Sequence, residues 1–168
     1  PEYYGQRATA GLIVTEGTSP SPNGLGYARI PGLFTEAHVQ GWKQVTDAVH
    51  AKGGKIFVQL MHTGRVTHLA NLPAGAEVVA PTAEVCPGEM FTDTQGMQPH
   101  SAPRAMTEDD IIQAVAEYAR SALLAIEAGF DGVELHAANG YLIEQFLNAN
   151  VNHRTDGYGG SLEGRNRF

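Results

Sequence analysis

Three short apolar runs, each followed by a stretch with helical periodicity, constrain this chain more than any other feature of its sequence. The runs are Ala10 to Glu16, Lys55 to Met61 and Asp131 to Ala138. Each is too short and too β-branched for a buried helix and reads as a strand. After the first come a Gly- and Pro-rich loop, Thr18 to Gly32, and a helix over 35–52. Thr35 is its N-cap, and Gly53-Gly54 is its stop. After the second comes an irregular stretch from His62 to Met106, where segments near Val78 and Val85 are expected to pair as a hairpin. An insertion this long in a compact domain reads as a lid. Thr107 then opens a helix with the acidic first turn Glu108-Asp109-Asp110, which suits the helix dipole. Its expected apolar stripe is Ile111, Ile112, Val115, Tyr118, Ala119, Ala122, Leu123 and Ile126, and Gly129 ends it. A short helix over 140–148, a polar loop over 152–160 and a helix beginning at Ser161 complete the chain.

Strands separated by helices must run parallel, because the crossover returns each strand to the same end of the sheet. A doubly wound sheet and an eightfold (β/α) barrel, the TIM barrel, both satisfy this. In the second run Ile56, Val58 and Leu60 share one face, and Phe57, Gln59 and Met61 share the other. In the third, Val133 and Leu135 oppose Glu134 and His136. Strands with one aliphatic face and polar residues near the carboxyl end of the other suit a barrel, whose chemistry sits at that end. No strand leads into a GxGxxG turn, which disfavours a dinucleotide-binding sheet. A complete barrel needs roughly 250 residues, and this chain has 168. The expectation is one domain over 1–168, an incomplete α/β barrel with about three strands, lacking strands at both ends.

Composition removes several classes of function. The formal net charge is −7, with no basic run, which argues against nucleic acid or an anionic membrane as partner. No run approaches the roughly 18 apolar residues needed to span a bilayer. Cys86 is the only cysteine and cannot form a disulfide within the chain, which points to a reducing, cytoplasmic setting. The chain begins at Pro1 rather than Met, so an original N-terminal segment can precede it. No His, Cys or Asp pair has the tight spacing of a zinc site, so no metal is expected. Nothing near Cys86 suggests a lowered pKa, and it reads as inert. Asp156 to Ser161 lacks the Lys of a phosphate loop and reads as a turn before a helix.

The residues that suggest chemistry are His136, Asn139 and Tyr141. His136 closes a strand and Asn139 lies in the turn after it, so two N–H donors can meet one developing negative charge. Tyr141 stands where a phenol can donate a proton to the same place. Spacing alone fits equally a strand-end His bonded to backbone, a helix-capping Asn and a half-buried Tyr. Gln59 lies on the inward face of an otherwise apolar strand. A buried carboxamide both donates and accepts, which suits a heterocycle with alternating N–H and C=O groups or, as readily, a neighbouring side chain. His62 and Arg65 read first as lid-ordering residues, and Glu134 as a barrel-core acceptor.

Four segments carry a resemblance: LIVTEGT, VQLMHTGR, AGFDGVELHAANGYLIEQFL and NHRTDGYGGSLEGR. They resemble the old yellow enzyme family of flavin-dependent ene-reductases over essentially the whole chain, most closely its bacterial maleimide- and nitrate-ester-reducing branch (N-ethylmaleimide reductase-like). The resemblance implies an FMN-containing barrel reduced by NAD(P)H, which passes hydride to an electron-poor alkene or nitro compound. It implies that His136 and Asn139 bind the substrate oxygen and that Tyr141 protonates the alkene. It also implies that Gln59 bonds the flavin pyrimidine edge and that the backbone at Ala10 approaches the flavin ring. His is also found at the Asn139 position in the family. Met61 stands where close bacterial relatives carry an aromatic residue, which leaves substrate preference open and suggests a looser pocket wall. The family's Pro-x-Thr segment, its flavin-facing Arg and its phosphate-binding last strands have no counterpart here. The chain is therefore expected to carry the substrate-binding part of a site and to need the remainder of the barrel as partner. The alternative is an isolated, non-catalytic half-barrel that associates with a complementary chain. A sugar- or phosphate-handling barrel would leave His136, Asn139 and Tyr141 without a matched role.

Overall fold

The computed structural model describes residues 1–168. In chain order it contains α1 (Glu2–Gly5), β1 (Ile13–Thr18), α2 (Glu36–His50), β2 (Ile56–Leu60), β3 (Val79–Ala80), β4 (Glu89–Thr92), β5 (Gly96–Pro99), β6 (Arg104–Ala105), α3 (Glu108–Glu127), β7 (Gly132–Leu135), α4 (Leu142–Leu147) and α5 (Leu162–Arg165). The main sheet has the order β1-β2-β7, and both pairings are parallel. With α2 joining β1 to β2, and the lid and α3 joining β2 to β7, the carboxyl ends of the three strands fall together.

One face of this sheet is covered. Ile56, Val58 and Leu60 are fully buried in a cluster with Val39, Trp42 and Val49 of α2, Tyr118, Leu124 and Ala125 of α3, and Phe130. Each such side chain contributes about 1.5–3 kcal/mol by leaving water. The opposite face carries Phe57, Gln59 and Glu134, all half-buried, and Val14, which is exposed. The alternation expected for β2 is therefore observed. In β7 the register puts Leu135 beside Leu60, yet Leu135 is 53% exposed because no helix of this chain covers it. Helices on one face only, with β1 and β7 as open edges, are what an incomplete barrel presents.

Both long helices form as their caps dictate. Thr35 accepts the His38 N–H at 3.2 Å. Thr107 and Asp110 cap each other's backbone reciprocally in a capping box. Gly53 and Gly129, at φ 75° and 86°, end α2 and α3 in the left-handed region. Ser161 caps α5 by accepting the Gly164 N–H, so the segment before it is the expected turn.

Four expectations need correction. The first strand starts at Ile13, not Ala10, and runs to Thr18. It bulges between Val14 and Gly17, where Thr15 Oγ1 takes the Gln59 N–H at 3.0 Å in place of a ladder carbonyl. The third strand is shorter than expected, Gly132–Leu135. The lid hairpin joins Glu89–Thr92 to Gly96–Pro99, while Val79–Ala80 pairs in parallel with Arg104–Ala105, so Val85 takes no part. A tight turn at Gly96 (φ 71°) favours that local pairing. The apolar arc of α3 is wider than its buried stripe. Of its buried residues, Tyr118, Leu124 and Ala125 pack in the cluster over the main sheet, while Ile111 and Ala114 pack in a second cluster with Val79, Met106, Leu142 and Phe146. Ile112, Leu123 and Ile126 are 60%, 66% and 62% exposed on a second, uncovered seam. Periodicity counts both seams and cannot say which one meets the sheet.

Candidate active site at the carboxyl ends of the strands

The turn after β7 is built by its sequence. The His136 N–H continues the ladder to the Leu60 carbonyl at 3.0 Å. Asn139 and Gly140 then take φ of 58° and 79° in succession. Asn and Gly are the residue types that accept this conformation at least cost. The chain reverses over these two residues and enters α4 with Tyr141 as its N-cap residue.

His136, Asn139 and Tyr141 are brought together by this turn. Asn139 Nδ2 lies 3.4 Å from His136 Nε2. The His136 and Tyr141 rings meet edge-on with centroids 5.1 Å apart. In that contact Asn139 Nδ2 donates to an unprotonated Nε2; with the imidazole proton on Nε2 instead, both side chains are N–H donors to a third atom placed between them. Gln59 lies below them on the inward face, one strand over, in register with Glu134. The hydrogen bond of Gln59 is made by its backbone N–H, so its carboxamide remains available. Glu134 Oε2 is buried with no hydrogen-bond partner. Met61 continues the same face and is buried.

Ala10 does not join them. It is exposed in the turn before β1, at the amino end of the sheet. Roughly 17 Å of strand separates Ile13 from the carboxyl end at Thr18. The β1 residue beside Gln59 is Gly17. A Cβ there would lie 2.7 Å from Met61 Sδ, so the Met61 side chain lies directly against the bare backbone of Gly17. Reading the strand three residues early set Ala10 among the strand-end residues, whereas β1 begins only at Ile13 and leaves Ala10 at the opposite end of the sheet.

Sequence reading also missed Tyr27 and Gln145. Tyr27 lies in the loop between β1 and α2, with its Oη 3.2 Å from Tyr141 Oη. Gln145, fully buried in α4, clamps two turns. Its Oε1 accepts the Arg65 N–H at 3.1 Å, and its Nε2 donates to the carbonyls of Thr63 and Gly140 at 3.0 and 2.6 Å. Gly64, at φ 59°, leaves room for that amide, because a Cβ would overlap it.

His62 and Arg65 order the lid. Arg65 pairs with Glu84 at 3.0 Å. The buried His62 accepts the Gly64 N–H on Nδ1 at 3.1 Å and donates its own backbone N–H to Tyr118 Oη. Burial pushes the His62 pKa down to about 4. The unfolded chain therefore binds a proton at this residue before the folded one does. Stability from a neutral His62 is complete above about pH 6.5, and is lost as pH falls from there towards 4. The loss should amount to about 3 kcal/mol. Urea unfolding followed between pH 7 and 4 should show that slope, and His62→Gln should flatten it. Burial likewise pushes the Cys86 thiol up, away from reactivity.

The description of the NADH:flavin oxidoreductase / NADH oxidase family matches residues 1–168. The chain belongs to this family. FMN is the family's cofactor, with NAD(P)H as reductant. A flavin oxidoreductase of Emericella nidulans is 47% identical over 99% of this chain and 42% of its own length. A probable flavin mononucleotide-dependent alkene reductase of Leishmania infantum is 46% identical over 99% of this chain and 47% of its own. Among solved structures, morphinone reductase superposes with a TM-score of 0.94 at 50% identity, covering 98% of this chain and 46% of that one. The old yellow enzyme homologue from Zymomonas mobilis superposes with a TM-score of 0.93 at 46% identity, covering 98% and 45%. The chain thus spans less than half the length of the relatives it matches. No helix in it is long and apolar enough to cross a membrane.

Proposed function

We propose that this chain carries the substrate-binding face of an FMN-dependent ene-reductase acting on activated alkenes, with nitro compounds and nitrate esters as further substrates. The observation that carries this reading is the convergence of His136, Asn139 and Tyr141 at the carboxyl end of the sheet, above the free carboxamide of Gln59.

The inner face fits a flavin. It offers the available amide of Gln59, an orphaned buried carboxylate oxygen at Glu134, and, beside Gln59, the bare backbone of Gly17. Gln59 would hold the pyrimidine edge, and the Gly17 backbone would lie against the ring. FMN, when bound, supplies hydride to the β-carbon of the alkene. The Nε2–H of His136 and the Nδ2–H of Asn139 hold the substrate oxygen and meet the charge that builds there, the moment at which such donors contribute most. Tyr141 Oη delivers a proton to the α-carbon. Met61, flexible and beside Gly17, shapes the pocket wall and adapts it to substrates of different outline.

The test is turnover of an unsaturated cyclic ketone by the full-length FMN-loaded protein with NADPH, run in D2O. Deuterium should appear at the α-carbon. Tyr141→Phe should slow turnover by roughly 100-fold, less where water reaches the α-carbon. Failure of the loaded protein to reduce any activated alkene overturns the reading. We further propose that the 168 residues alone have little or no such activity, because β1 and β7 are open edges and the inner face around Val14 is exposed. Equilibrium dialysis of FMN against this chain should show no tight binding. Stoichiometric binding would overturn that second statement and leave the first standing.

A further inference from the structure

A bond between two hydroxyl groups uses one proton. Tyr27 Oη and Tyr141 Oη are 3.2 Å apart, with either able to donate, and their rings meet edge-on with centroids 6.2 Å apart. If Tyr141 gave its proton to Tyr27, it would have none to deliver elsewhere. If Tyr27 gives, the Tyr141 proton is free to point at a substrate. Its oxygen then already holds a donor, and that bond strengthens as the oxygen becomes negative.

The loop carrying Tyr27 is held against movement. The Gly24 carbonyl accepts from Thr63 Oγ1 at 3.2 Å. The Gly26 carbonyl accepts from Asn71 Nδ2 at 3.0 Å, and the same nitrogen also donates to the Phe91 carbonyl of the lid hairpin at 3.1 Å. A Cβ on Gly26 would overlap Thr63 and Thr67, so the loop backbone lies directly on the turn after β2. The Tyr27 phenol is thereby fixed beside Tyr141, with the His136 ring on the same tyrosine. Burial also raises the Tyr27 pKa well above the ordinary phenol range, which keeps its proton in place.

Resting on the ene-reductase reading, we propose that Tyr27 is a positioning residue that donates its phenolic hydrogen bond to Tyr141 Oη, directing the Tyr141 proton toward the substrate α-carbon and stabilising the phenolate left behind. In that step the Tyr141 Oη–H bond breaks as the Cα–H bond forms. Tyr27 keeps its own proton, and solvent restores that of Tyr141.

Two measurements test it. The tyrosine Fermi doublet in ultraviolet resonance Raman spectra distinguishes a phenol oxygen that accepts from one that donates. Recorded against Tyr141→Phe to isolate that ring, Tyr27→Phe should remove acceptor character from Tyr141. Loss of donor character, or no change, overturns the proposal. In the full-length FMN-loaded protein, Tyr27→Phe should lower kcat by roughly tenfold with KM little changed. In a Tyr141→Phe background it should have no further effect on kcat. Additive losses, or a loss confined to KM, overturn it. If the loaded protein reduces no alkene at all, the ene-reductase reading falls, while the Raman result still decides the direction of the bond.

Discussion

Replacing His136 and Asn139 together by alanine should reduce kcat/KM for an activated ketone by roughly 10⁴-fold or more, since each donor to a developing oxyanion contributes about 10²–10³-fold. The two groups lie 3.4 Å apart, close enough to share one oxygen, so any departure of the double variant from the product of the singles measures their coupling. Either single variant leaves one donor and should retain measurable turnover. Asn139→Ala carries a second penalty, because position 139 sits at φ 58° and alanine accepts that conformation poorly. Asn139→Gly separates the two effects: it loses the amide and relieves the backbone. Full activity in the double variant would remove the central support for the proposed chemistry. The measurement is steady-state kinetics on the loaded full-length protein, with flavin content checked so that loss of cofactor is not read as loss of catalysis.

Gln145→Leu should destabilise the fold by about 4 kcal/mol in urea unfolding. Leucine fits the volume and the helix, so the loss isolates the amide. Three backbone groups, the Arg65 N–H and the carbonyls of Thr63 and Gly140, would be left in a buried setting without partners. Those groups belong to two different turns, one after β2 and one after β7. The variant should therefore also loosen the turn that presents Asn139. Amide hydrogen exchange at Arg65 should rise ahead of global unfolding. An effect below about 1 kcal/mol would mean that water replaces the amide at all three positions.

The parallel order of the main strands, the caps of the long helices and the inward placement of Gln59 were legible because each follows from a local rule. Thr35 and Thr107 cap where capping chemistry places them, and Ile56, Val58 and Leu60 alternate as a half-covered strand must. What escaped depended on contacts distant in sequence. Tyr27 meets Tyr141 across 114 positions, and nothing in its glycine-rich loop announces a partner. Gln145 left a trace: it stands between Leu142 and Phe146 on the buried face of α4, a polar residue inside an apolar stripe. The strand boundary at Ala10 failed for another reason. An apolar run shows where a strand can lie, but the pairing that begins at Ile13 is decided by β2.

The two seams of α3 say something about how such a layer is specified. Tyr118, Leu124 and Ala125 pack over the sheet, while Ile112, Leu123 and Ile126 face outward with nothing on them. A helix that only had to cover its own strands would be polar there. An apolar arc wide enough for two neighbours encodes lateral succession, with one flank for what lies beneath and the next for what lies alongside. Read this way, the strand–helix unit acts less as a finished shape than as a rule for adding the next unit, and it leaves the sense of growth written on the surface of α3.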